Sequence, residues 1–387
     1  MSSFASTSSR NPWPGTLAGL AALAVAMGIG RFAFTPVLPM MLEERLLTIA
    51  AGAWLASANY LGYLLGAVSA MFVQASAERA IRISLVVIVA STCAMALHLP
   101  IVAWAGLRLL AGIASAWVLI SVSAWAMDWV LRHQRPFLSS VVFCGVGTGI
   151  AAAGLLGIAI QSAAHGSSAA WLALGAVAMV VTAAIWNRFG ASEARAKGAR
   201  PVLRWNAQSL RLVAAYGLFG FGYIIPATFL PVQAKAALQG SAAFAWSWPV
   251  FGLAAALSTL TVAMWVRRIG NRRLWLACQL IMAVGVILPV ASASLAAILG
   301  ASLAVGGTFM VITAAALQEA RQTAGPQATG LLAAMTAAFA TGQMLGPLTI
   351  GSQGSFDIPL AVAAAALVAG ALLIVRPTRT ETLQPQE

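Results

Sequence analysis

Two arginines, Arg31 and Arg108, stand inside long runs of apolar and small residues. A charge held in hydrocarbon costs roughly 2.5–3.5 kcal/mol at the centre of a helix, so such residues face a cavity or a partner rather than lipid. A guanidinium is a planar fork of donors that pairs bidentately with carboxylate or phosphate. An anionic group on a small solute would therefore suit either arginine. The competing reading is structural: each would bond helix carbonyls and hold neighbouring segments together.

Other polar groups fall in comparable runs. Asn59, Tyr223 and Gln343 are candidates for lining the same cavity. A phenol offers an apolar ring with one polar handle, which suits a mostly apolar solute site. For the remaining tyrosines, Tyr60, Tyr63 and Tyr216, packing between helices competes with that role. Carboxylates are placed differently. Asp128 and Glu319 lie at one end of their runs, and Glu43, Glu44 and Asp357 at the other. None falls near the middle, where proton-coupled carriers keep a buried acid. Uniport, exchange, or coupling of a proton or other ion through Asp128 or Glu319 remain, with helix-end pairing as the plainer role for both acids. Arg267 and Arg268 are further candidates for gating or coupling.

Catalytic and metal chemistry has little to work with. Cys93, Cys144 and Cys278 are far apart, no CxxC or HExxH string occurs, and His98, His133 and His165 sit at loops or run ends. No metal, cofactor or catalytic residue is expected. Without a GxxxxGK[ST] string, ATP-driven work would need a separate subunit.

The elements that hold these residues follow from composition. The chain has 387 residues, 61% hydrophobic and 8% charged, with a mean hydropathy of +0.89. Soluble proteins carry about 25% charged residues, so most of this chain belongs in a lipid bilayer. The net charge of +13 would suggest nucleic acid in a soluble domain. Here the basic residues lie between apolar runs, and no nucleic-acid partner is expected.

A span needs roughly 20 apolar residues to cross about 30 Å of hydrocarbon. Runs of that kind occur near 16–41, 51–73, 82–98, 101–131, 137–162 and 168–188, and again near 209–234, 243–266, 274–291, 294–317, 327–351 and 355–375. The expected organisation is an N-terminal tail (1–13), a six-helix bundle (14–188), a polar central loop (189–208), a second six-helix bundle (209–376) and a tail (377–387). Fifteen Lys and Arg fall in the loops after even-numbered spans, but only Arg45 and Lys235 in those after odd-numbered spans. Basic loops stay cytoplasmic, so both termini and the central loop should face the cytoplasm of an inner-membrane protein.

The halves repeat. GIGRFAFTPVLP, from Gly28 to Pro39, matches GFGYIIPATFLP, from Gly220 to Pro231, at an offset of 192 residues. That offset pairs Gly28 with Gly220, Gly30 with Gly222, Arg31 with Tyr223 and Trp54 with Trp246. Six spans per half give both repeats the same orientation, related by an axis along the membrane normal. Gly28, Gly30, Gly220, Gly222, Gly342 and Gly346 recur at helical spacings and are expected to let helices approach closely.

These strings resemble the major facilitator superfamily, and GIGRFAFTP from Gly28, NYLGYLLGA from Asn59, YIIPATFLP from Tyr223 and GQMLGP from Gly342 resemble its YbfB/YjiJ-type bacterial branch. Arg108-x-x-Ala-Gly112-x-Ala-x-Ala116 is similar to the superfamily's R-x-x-Q-G-x-G-x-A motif, while the loop from Gln74 to Arg82 lacks the acid–Arg pair of the superfamily's latch. The resemblance implies an all-α integral membrane protein of twelve transmembrane helices in two pseudo-symmetric six-helix bundles. It also implies that spans one and four, carrying Arg31 and Arg108, line a central cavity. The expected function is a monomeric secondary or facilitative transporter of a small solute, in particular an organic anion, by alternating access. A non-transporting sensor or scaffold and an intramembrane enzyme are the alternatives.

Overall fold

The computed structural model describes residues 11–73, 75–135, 137–189, 205–238, 241–350 and 355–375. Most of the expected tail at 1–13, the tail at 377–387 and most of the central loop lie outside the described residues. Helix begins at Trp13, at the border of the tail assigned from sequence.

Every regular element among the described residues is helical. The N-terminal half holds α1 (Trp13–Leu23) and α2 (Phe34–Glu43) joined by a π-helical turn (Ala24–Ile29), then α3 (Ile49–Phe72), α4 (Ala77–Ala94), α5 (Ile101–His133), α6 (Phe137–Ser162) and α7 (Ser167–Ile185). The C-terminal half holds α8 (Ala207–Ala237), α9 (Ser247–Ile269) led in by a 3-10 turn (Ala242–Trp246), α10 (Asn271–Ala291), α11 (Leu295–Ala324), α12 (Ala328–Leu345) and α13 (Asp357–Val375).

Among the described residues, ten stretches of helix are long and apolar enough to cross a membrane. Two departures from the twelve runs read in the sequence have local causes. The stretch Leu295–Thr349 contains both α11 and α12, separated only by the 3-10 turn Gly325–Gln327. Helix α4 carries Glu78, Arg79 and Arg82 in its first turns, which lowers its apolar character.

Helix starts are fixed by side chains that satisfy otherwise unpaired N–H groups. Thr48 accepts from Ala51 N, Asn206 from Ser209 N and Ser294 from Ala297 N. The carboxylate of Glu44 accepts from the N–H and hydroxyl of Ser167 at the start of α7. Between α9 and α10 the turn is a single residue, Gly270, at φ +79°, a backbone region that a residue bearing a β-carbon enters only with strain.

The exterior of the helices is greasy: Phe72, Val102, Val180 and Ile358 are each more than 60% exposed. In water such a surface would aggregate; in lipid it is the solvated face. Polar side chains turn inward instead, as where Gln279 accepts from Trp275 and donates to the carbonyl of Leu367, tying α10 to α13.

Within the first half α1 packs on α6, and α5 on α3 and α4; within the second, α8 packs on α12 and α13, and α11 on α9 and α10. The halves meet along three seams, α2 with α8, α3 with α12 and α6 with α9. A β-carbon added to Gly147 would lie 2.3 Å from the backbone nitrogen of Ala256, and one on Gly252 2.3 Å from that of Ala151. The α6–α9 seam is thus backbone against backbone. The repeat is visible in the packing too. Gly28 sits against Gly149, while its mate Gly220 sits against Phe339; Gly112 touches the carbonyl of Asn59, and Gly306 touches that of Phe251, the residue 192 positions on from Asn59.

Candidate functional site

The site forms where the first helical stretch loses its regularity. In the π segment the N–H of Gly30 bonds Val25 O, and that of Phe32 bonds Met27 O. Pro36 has no N–H to give Phe32 O, its partner four residues back. The N–H of Thr35 bonds Phe32 O instead, at 3.2 Å. That shift leaves the carbonyl of Arg31 without a helical donor.

Arg108 of α5 takes up the vacancy. Its Nη2 donates to Arg31 O at 2.9 Å, and its Nη1 to Gly30 O at 3.3 Å. Asn59 of α3 supports the arrangement, donating to Arg108 O at 2.8 Å and reaching Gly30 O at 3.4 Å. The guanidinium of Arg108 also lies 5.0 Å from the Phe34 ring centre. Arg108 therefore spends its terminal donors on backbone, and braces the broken helix.

Arg31 is arranged differently. It is only 3% exposed, and no carboxylate lies within 4 Å of it or of Arg108 among the described residues. Its guanidinium lies 4.1 Å from the Tyr63 ring centre, with Phe32 and Tyr60 at 5.2 and 5.4 Å. Such cation–π contacts stabilise a desolvated cation without neutralising it. Its Nη2 donates to the side-chain oxygen of Gln343 on α12, and the Gln343 amide nitrogen donates to the hydroxyl of Tyr223 on α8. Arg31 Nε has no partner, nor have Arg108 Nε and Asn59 Oδ1.

The wall opposite Arg31 is aromatic. Tyr223 lies parallel to Phe309 and Phe339, at 5.8 and 5.6 Å, and stacks on Phe219 at 5.2 Å. Phe32 reaches across from the first half to Trp248 and Phe309.

The structure thus brings Arg31, Arg108, Asn59, Tyr223 and Gln343 into one cluster astride the seam between halves. The other candidates lie elsewhere. Asp128 and Glu319 sit half-buried near the ends of α5 and α11, and Arg267 and Arg268 are exposed at the end of α9, Arg268 against the Trp265 ring. The glycines act in packing: Gly30 beside Ser115, Gly222 beside Leu367, Gly342 against Gly217 and Gly346 against Ile224.

Several partners went unread in the sequence. Thr35 donates to Ala227 O at 2.9 Å, and Lys235 pairs with Glu43. Both pairs are separated by 192 residues, the repeat offset itself. Positions that meet their own repeat mates lie beside the pseudo-twofold axis, by the logic of any two-fold interface. Ser57 bonds Met344 O, and Tyr60 bonds Thr228, completing the ties at that end. The signal was available: repeat mates on the axis-lining helices, one an acid and one a base.

Residues 23–375 match the family described as "Uncharacterised MFS-type transporter YbfB". Among solved structures, the nucleoside transporter NupG superposes with a TM-score of 0.71 at 13% identity, covering 93% of this chain and 98% of that one. At that identity the likeness shows the fold. No curated protein matches the chain in sequence.

Proposed function

The chain belongs to the YbfB-type family of major facilitator superfamily transporters, and we propose that its cargo is a small organic anion recognised by Arg31. The protein is a multi-pass membrane transporter rather than an enzyme. The finer reading rests on one observation: Arg31 is a buried guanidinium with no carboxylate near it among the described residues, on the seam between the two halves.

A buried cation without a counter-ion is expensive. Ring faces and one amide oxygen offset part of that cost, and an arriving anion would offset much more. The roles then divide. Arg31 binds the anionic group; Arg108 and Asn59 position Arg31 by holding the carbonyls of the broken helix; Gln343 and Tyr223 face the ligand from the other bundle. The aromatic wall accepts an apolar body.

Transport follows from the position of the site. Twelve spans form two bundles, and rocking one against the other exposes the site to each side in turn. The basic loops and both termini lie in the cytoplasm, across the inner membrane, with the protein acting as a monomer. In this conformation the hydrogen bonds between halves among the described residues lie at Arg31 and toward the external end. No acid among the described residues lies beside Arg31, so the anion carries its own charge across unless Asp128 or Glu319 supplies a coupled proton.

A thermal-shift screen of the purified protein tests the substrate class. Organic acids should raise the melting temperature, whereas sugars, amino acids and drug-like cations should not. Stabilisation by cations but not acids would reject the reading. Cysteine labelling that put the two termini on opposite faces would reject the topology.

A further inference from the structure

We propose that the Gln343 amide is a built-in stand-in for the solute's carboxylate, which it must yield to on binding; the inference rests on the anion reading above. The Arg31–Gln343–Tyr223 chain joins α12 and α8 of one bundle to the first helical stretch of the other. All three side chains are buried.

The orientation of the amide follows from its neighbours. A guanidinium has donors only, so the Gln343 oxygen must face Arg31 and the NH2 must turn to the Tyr223 hydroxyl. Arg31 thus meets a trigonal carbon bearing an in-plane oxygen, the neutral counterpart of a carboxylate. The match is incomplete in an informative way. Nη2 and Nε point their hydrogens along the same edge of the guanidinium, the edge on which a carboxylate seats two oxygens. The amide satisfies Nη2 and leaves Nε without a partner. A carboxylate would satisfy both and bring the missing charge.

The amide therefore holds Arg31 in the empty protein but loses to an anion. Its displacement breaks the tie between bundles at the site while Gln343 can keep its bond to Tyr223. A neutral solute has nothing with which to displace it. Tyr223, which accepts from the amide, is itself stacked on Phe309 and Phe339, so the side of the site behind the amide is aromatic and the class of ligand is an aromatic carboxylate.

The test is calorimetric titration of the purified full-length protein with benzoate, with benzamide as the uncharged control of the same shape. Gln343→Leu removes the competitor, and benzoate should bind about tenfold tighter or more, the size of one hydrogen bond to a charged group. Gln343→Asn, too short to reach Arg31, should move affinity in the same direction and keeps the polarity if the leucine variant does not fold. Gln343→Glu installs a resident carboxylate and should weaken benzoate at least about tenfold. If Arg31→Ala abolishes benzoate binding but the Leu and Asn variants bind it no better than wild type, the stand-in role is overturned and the anion reading stands. If no form binds benzoate better than benzamide, or Arg31→Ala binds it unchanged, both fall.

Discussion

Arg31 and Arg108 are the same residue type in the same low-dielectric setting, yet their surroundings divide the work between them. Arg108 makes two bonds to backbone carbonyls of the first helical stretch; Arg31 makes one to a neutral amide and otherwise lies on rings. Replacing Arg108 by Met keeps bulk and removes both bonds. Gly30 O keeps the donor of Asn59, but Arg31 O is left unpaired, which costs about 1–3 kcal/mol, so Arg108→Met should lower the melting temperature clearly. Arg31→Ala, which frees a rotatable amide and no backbone group, should leave stability and expression close to wild type while abolishing transport. Parallel melting curves of the two variants check this; equal destabilisation would contradict the division of roles. Both arginines were legible in the sequence as charges in apolar runs. Which one holds backbone carbonyls and which one meets an amide and ring faces was not, because that depends on carbonyls freed by hydrogen bonds that no sequence pattern displays.

At the scale of the element, the feature that matters is the interruption between α1 and α2. Its cause is local. Pro36 withholds an N–H from Phe32 O, Thr35 N moves to that carbonyl, and Arg31 O is left for Arg108. Pro36→Ala restores the missing donor and should let Thr35 N return to Arg31 O. Arg108→Met should then cost less in the Pro36→Ala background than in wild type, by about 1 kcal/mol of coupling, measured as a double-mutant cycle. Additive losses would show the two features to be independent. The mate helix α8 carries Pro226 and Pro231 without a π turn, so the repeat has diverged at the site. The sequence marked the place through Arg31 standing where the second half has Tyr223. It could not reveal the π turn, since Pro226 and Pro231 sit in a continuous helix.

For the whole molecule, the 192-residue offset carries the architecture. It was legible in matching strings, and it returns as physical contact between mates, Thr35 with Ala227 and Glu43 with Lys235. The spans and the greasy exterior were equally legible, because backbone in lipid leaves few alternatives to helix. The ties at one end were not, since they depend on how two bundles lean together. Glu43 and Lys235 are partly exposed, so their pair contributes at most about 1 kcal/mol and can open readily. A disulfide between Glu43→Cys and Lys235→Cys, with Cys93, Cys144 and Cys278 replaced by Ala, should stop transport until it is reduced. Undiminished flux through the cross-linked protein would mean that this end does not open.

The most direct measurement is uptake of labelled benzoate into proteoliposomes, with an imposed membrane potential, by wild type and by Arg31→Ala. Wild type should accumulate benzoate when the interior is positive, because a carboxylate bound to Arg31 crosses as a charge, and Arg31→Ala should fall to the rate of protein-free vesicles. Uptake by Arg31→Ala at the wild-type rate would contradict the assignment of Arg31 as the group that holds the transported anion.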